Sequence, residues 1–147
     1  MYPDSRISDF INQNFIPVKI HIKENPEGFE RFGAQWTPTV IIADPKGVER
    51  YRFEGFLPVD EFLPQIRFGL AKAAFAGGDF ARAEELFRQI EEESPSADIA
   101  PEALYWAGVA KYKKTGDAAA LAETAAEFQS QHADTVWAKK ASVWRAA

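Results

Sequence analysis

Cysteine is absent from the 147 residues, so disulfides, zinc–thiolate centres and thiol redox catalysis are excluded for the chain as it stands. Histidine is scarce. With His21 and His132 alone, a multi-histidine metal site has no ligands, and neither residue accompanies a Gly-x-Ser-x-Gly nucleophile turn. Walker and Gly-x-Gly-x-x-Gly phosphate loops are missing as well. No catalytic residue, metal ligand or cofactor is therefore expected. Positive charge is in deficit, with a net charge of −5 and a pI near 5.1, so the cationic footprint of a nucleic-acid binder is lacking. No apolar run approaches the roughly 18 residues that a membrane span requires, and no segment reads as a secretory signal. A cytoplasmic protein with neither nucleic acid nor membrane as partner is expected.

What is present describes a packed chain. Hydrophobic residues make up 46% and aromatics 14%, enough to build a core. The composition breaks near residue 64: seven of nine prolines but only Ala34 and Ala43 precede it, whereas 22 alanines follow it. Val, Ile and Thr are concentrated before the break, Ala after it, so strands are expected early and helices late.

Asp4 to Asn14 places Ile7, Phe10, Ile11 and then Phe15 at helical spacing, with Asp4 or Ser5 able to cap. Ile16, Val18, Ile20 and Ile22 then alternate with Pro17, Lys19, His21 and Lys23, the period of a strand with one buried face. Pro26 to Phe32 predicts a short helix closed by a left-handed Gly33. After Trp36-Thr37-Pro38-Thr39, the apolar run Val40 to Ala43 predicts a strand covered on both faces. Asp44-Pro45-Lys46-Gly47 turns it into a second strand, Val48 to Phe53. Gly55 ends that strand. Pro58 starts a helix with a buried stripe of Phe62, Ile66, Leu70 and Ala73, and Pro64 predicts a kink or a delayed start.

The ordered set of Thr37-Pro38-Thr39, Val40-Ile41-Ile42, Asp44, Gly47 and Gly55 resembles the C-terminal two-thirds of a thioredoxin domain. The resemblance covers roughly residues 1–76. It implies a cis-proline loop at Pro38, whose flanking backbone pairs with an extended protein or peptide segment. Trp36, Thr37, Pro38 and Thr39 are accordingly the candidate binding residues. It also implies a Cys-x-x-Cys pair and a central strand upstream of Met1, the strand lying in the sheet between the one ending near Ile22 and the one at Val40 to Ala43; this chain contains neither. Relatives carrying that pair would be thiol–disulfide oxidoreductases, of which this chain would be a fragment; the chain itself is expected to be redox-inactive. Loss of the central strand leaves backbone groups on both neighbours without ladder partners. The remaining strands shift together, another chain or a substrate segment inserts, or the fold is weak; self-association would cover the open edges.

Gly78-Asp79-Phe80, Ala83, Phe87 and Pro95, with Leu70 and Ala71 before them, resemble a tetratricopeptide repeat. Pro101 to Gly108 and Gly116-Asp117 form a looser second copy, and Trp137, Ala141 and Trp144 sit on one face of an expected capping helix over 134–144. The fold class expected is α/β followed by all-α: a truncated thioredoxin-like domain over 1–76 with a partial sheet and helices, then a tetratricopeptide-like array of helical hairpins over 64–147, sharing the helix near 64–76. The helical tail acting as an interaction scaffold is the competing function.

The other polar and aromatic residues read as structural. His21 is expected on the exposed face of the first strand and His132 at a helix end. Glu84, Glu85, Glu91, Glu92 and Glu93 spread over solvated helix faces, and Tyr105, Trp106, Tyr112, Trp137 and Trp144 belong to the core in preference to a peptide groove.

Overall fold

The computed structural model describes residues 3–146. The chain forms a two-stranded antiparallel sheet with helices, followed by a run of helices, an α/β part continuing into an all-α part. Helix α1 (Ser5–Asn14) starts where the Asp4 carboxylate accepts the Arg6 N–H at 2.9 Å, satisfying one of the amides that a helix start leaves open. Ile7 is buried, with Phe10 and Ile11 packed beside the same cluster.

Residues 16–22 depart from expectation, because they form no strand. The alternation is there, but a strand needs a neighbour for its N–H and C=O groups, and the sheet is confined to two later segments. Their side chains face water instead: Ile16 is 93% exposed, Val18 80%, Ile20 40% and Ile22 41%. The chain then turns as the Glu24 and Asn25 N–H groups donate to the His21 carbonyl. His21 is exposed, on a turn and not on a strand. Helix α2 (Pro26–Arg31) follows, its Gly28 N–H capped by Asn25 at 2.8 Å, and Gly33 (φ 63°) stops it.

Strands β1 (Thr39–Ala43) and β2 (Glu49–Glu54) pair as a hairpin. Asp44 organises the turn, its Oδ1 accepting the N–H groups of Lys46 (2.9 Å) and Val48 (3.0 Å) while Oδ2 accepts from Arg50. Burial of β1 on both faces does not occur. Only Ile42 is fully buried, since α3 covers one side of a sheet that has no further strand.

Helix α3 (Val59–Ala76) runs unbroken through Pro64, so its start is not delayed; the Asp60 carbonyl forgoes the bond that Pro64 has no N–H to donate. Sandwiched between two packing partners, α3 buries residues almost all round its middle, while Leu70 and Ala73 from the expected stripe are half-buried. Phe62 and Ile66 join Ile7 and Ile42; Phe68 and Ala71 join the helical core of Phe87, Ile90 and Ala103. The helix lies so close to β1 that a Cβ on Gly69 would stand 2.1 Å from Ile42 Cδ1. Arg67 adds a polar tie, its Nη1 donating to Glu93 at 2.6 Å and its guanidinium 5.1 Å from the Phe10 ring centroid.

Beyond the Gly77–Gly78 turn, α4 (Phe80–Glu93), α5 (Ala100–Thr115) and α6 (Ala119–Ser130) pack successively. The chain closes with α7 (Val136–Ala141) and a 3₁₀ turn over Ser142–Ala146, so the expected cap over 134–144 is shorter and ends in tighter winding. Tyr105 stacks on Trp144 at 4.7 Å and meets Trp137 at 5.2 Å. The glutamates are less solvent-directed than their phasing implied: Glu84 pairs with Lys114, Glu93 with Arg67, and Glu91 with His132. Among the described residues no helix is long and apolar enough to cross a membrane.

Candidate functional site

Trp36, Thr37, Pro38 and Thr39 occupy the loop between α2 and β1, and the Thr37–Pro38 peptide bond is cis. Two hydrogen bonds fix the loop. The Thr39 hydroxyl donates to the Trp36 carbonyl at 2.6 Å, and the Gly55 N–H donates to the Pro38 carbonyl at 2.8 Å. The first closes the loop on itself; the second attaches it to the end of β2. The Trp36 side chain is left 66% exposed, an indole with a large apolar face and one N–H donor held in water. Arg52 braces the approach from below, donating to the Phe32 and Gly33 carbonyls and to Glu49. That bond holds the Glu49 carboxyl below its ordinary value.

Phe56, 81% exposed, stands on the segment after β2 and was not singled out by sequence reasoning. With Pro38 it flanks an apolar cavity of about 240 Å³ whose walls include Ile7, Val40, Leu57 and Phe62. The clue available in the sequence was Gly55-Phe56-Leu57-Pro58, a pair of large apolar residues between two breakers, where no regular element can bury both.

The backbone beside the loop is open on one side. The Gly55-to-Pro38 bond sets the alternation of the ladder, so Val40 and Ile42 pair with Phe53 and Tyr51 through hydrogen bonds. Thr39, Ile41 and Ala43 consequently direct their N–H and C=O groups to the outer edge of β1, and among the described residues no hydrogen bond reaches those groups. The chemistry this arrangement offers is recognition. Trp36, Thr37, Pro38 and Thr39 bring an aromatic surface, backbone donors and acceptors and two hydroxyls, with no acid or base among them.

The two histidines lie apart from this loop in the chain, His21 before α2 and His132 between α6 and α7, the latter 3.0 Å from the Glu91 carboxylate. Among the described residues there is no group of three or more His, Cys, Asp or Glu side chains placed to hold a metal ion.

A family model for a thioredoxin-like domain matches residues 2–70. No curated protein and no solved structure matches the chain.

Proposed function

We propose, from the premise that residues 2–70 belong to the thioredoxin-like domain family, that this chain is a redox-inactive cytoplasmic protein that binds an extended peptide through Trp36, Thr37, Pro38 and Thr39. Thiol exchange needs a thiolate, and the chain has no cysteine. What remains of the domain's working surface is a loop that recognises without reacting.

The observation that carries this reading is the exposed Trp36 indole on backbone anchored at both ends by Thr39 and Gly55. A rigid loop loses little conformational freedom on binding, and a tryptophan in that position supplies contact area at low entropic cost. Main-chain groups of Thr39 can then pair with the backbone of an extended segment, the mode in which strand addition gives affinity and side-chain pockets give selectivity. The cavity beside Pro38 and Phe56 is such a pocket.

The helical tail offers less. Tyr105, Trp137 and Trp144 are spent on one another, and Trp106 packs on Phe75 at 5.5 Å and under the Lys72 ammonium at 3.7 Å. Of the tail aromatics, Tyr112 is the exposed one among the described residues. The test is a titration with proline-free peptides that alternate aliphatic and polar residues, followed through the Thr39 backbone amide resonance. Trp36→Ala should weaken binding about tenfold or more, as an aromatic anchor does, while Tyr112→Ala leaves it unchanged. Loss of binding through Tyr112→Ala with Trp36→Ala silent would replace the loop with a tetratricopeptide-like tail scaffold.

A further inference from the structure

The N-terminal half holds two complementary halves of a ladder that do not meet. One is the outer edge of β1, where Thr39, Ile41 and Ala43 present backbone groups with no hydrogen bond among the described residues. The other is the stretch 16–22, whose aliphatic side chains alternate with polar ones, Ile16 and Val18 standing in water and Ile20 and Ile22 partly covered. Such an edge is a template for another strand, and such an alternation is a strand lacking its template.

We infer that a second copy of this chain completes the ladder: residues 19–23 of each protomer lie antiparallel along β1 of the other, forming a two-fold dimer. This occupant competes with the peptide proposed above for the Thr39 main chain and the cavity, and leaves the Trp36 side chain free for it.

Register supports this occupant over an arbitrary peptide. Setting His21 opposite Ile41 aligns Lys23 with Thr39 and Lys19 with Ala43. The hydrogen-bonding positions of the incoming strand are then 19, 21 and 23. Pro17, which has no N–H, falls beyond the end of β1, where a missing donor is harmless. Side chains at paired positions share a face, so Ile22 and Ile20 come beside Val40 and Ile42 on the α3 side, and Ile22 reaches the 240 Å³ cavity at Val40.

Charge agrees with the same alignment. Thr39 and Ala43 are four residues apart on β1, with Glu54 and Glu49 as their cross-strand partners. Lys19 and Lys23, also four residues apart, arrive on that face, where Arg52 opposite Ile41 already holds Glu49, so the charge match rests on Lys23 and Glu54. Ile20 and Ile22 against Val40 and Ile42, rimmed by Trp36 and Phe56, give an apolar centre that the two-fold axis repeats. Forming the ladder requires the His21 carbonyl to release the Glu24 and Asn25 N–H groups.

The test is light scattering on the full chain from micromolar to millimolar concentration, with Ile22→Lys as the variant, which brings a charge opposite Val40. Ile22 is exposed in the monomer, so the substitution leaves the fold intact. The wild type should double in mass as concentration rises, and Ile22→Lys should weaken that association at least tenfold. A wild type that stays monomeric overturns the inference, as does an Ile22→Lys protein that dimerises like the wild type. In a second arm, a synthetic peptide covering residues 15–23 is added to the Ile22→Lys protein and Ile41 amide exchange is followed. Slowing of at least tenfold is expected. No slowing, or equal slowing by unrelated alternating peptides, overturns the assignment to a second copy; a monomer that still binds such peptides at Trp36 leaves the proposed function standing.

Discussion

Glu91 and His132 face each other across the join between α4 and the elbow before α7, with the histidine Nε2 3.0 and 3.1 Å from the two carboxylate oxygens. Burial pushes the Glu91 carboxyl above its ordinary value, opposed by the adjacent His132 and Arg88. His132 itself has φ 57°, a left-handed conformation that Asn also accepts. His132→Asn therefore removes the ring without straining the elbow. It should destabilise the fold by about 1–3 kcal/mol, the cost of leaving a half-buried acceptor without its donor. Adding Glu91→Leu should recover part of that loss. Thermal unfolding of the single and double variants measures both.

Gly69 marks the closest approach of α3 to the sheet. Gly69→Ala places a methyl 2.1 Å from Ile42 Cδ1 and should cost about 1–3 kcal/mol, the usual penalty of overpacking. Ile42→Val deletes that terminal methyl. The double variant should be more stable in denaturant titration than Gly69→Ala alone; no rescue would mean that the nearby Tyr51 ring, 3.0 Å from the same point, is the obstacle.

Tyr51 has its phenol pushed up to about 12, mainly by burial and secondarily by the charge of Glu102, while its hydroxyl donates to Gln65 at 2.6 Å. Its folded pKa is above the unfolded one, so the stability it contributes is complete below pH 10 and lost as pH rises toward 12. Allowing for its partly exposed ring, the loss should be about 1–2 kcal/mol. Tyr51→Phe should flatten stability across that window in alkaline unfolding curves.

Asp44 titrates at the other end of the scale. The Val48 N–H, followed by the Arg50 side chain and the Lys46 N–H, lowers its pKa from an ordinary 3.8. A lowered carboxylate supports the fold above its unfolded pKa and stops doing so as pH falls through the folded value. As pH falls through that lowered value the Val48 amide should lose protection relative to its unstructured exchange rate, and Asp44→Asn, which keeps an acceptor oxygen but cannot titrate, should remove that pH dependence.

Trp36→Ala should leave thermal stability within about 0.5 kcal/mol of the parent, as expected at an exposed site. A larger drop in a melting experiment would give Trp36 a structural role and remove it from the binding loop.

The elements legible in the sequence are those whose causes are local. Asp4 caps α1, Pro26 and Gly33 bracket α2, and Asp44 with Gly47 makes the hairpin turn, because each depends on atoms a few residues away. The stretch 16–22 could not be read this way: its alternation is genuine, but whether a strand forms is decided by a neighbour elsewhere in the chain. Burial of Glu91 was likewise invisible, since its partner is 41 residues distant. At the candidate site, Trp36 to Thr39 were found because they are contiguous. Phe56, Leu57 and the cavity were missed because only the return of β2 to Pro38 brings them there.

Because α3 presents Phe62 and Ile66 to the hairpin and Phe68 and Ala71 to the helices beyond it, no cut along the chain separates two self-sufficient pieces. Severing the polypeptide after Ala76 would strip the cover from one flank of that helix and bare Phe68 and Ala71 to water. The molecule should accordingly melt in a single step, and loosening at the hairpin would be felt at the far terminus.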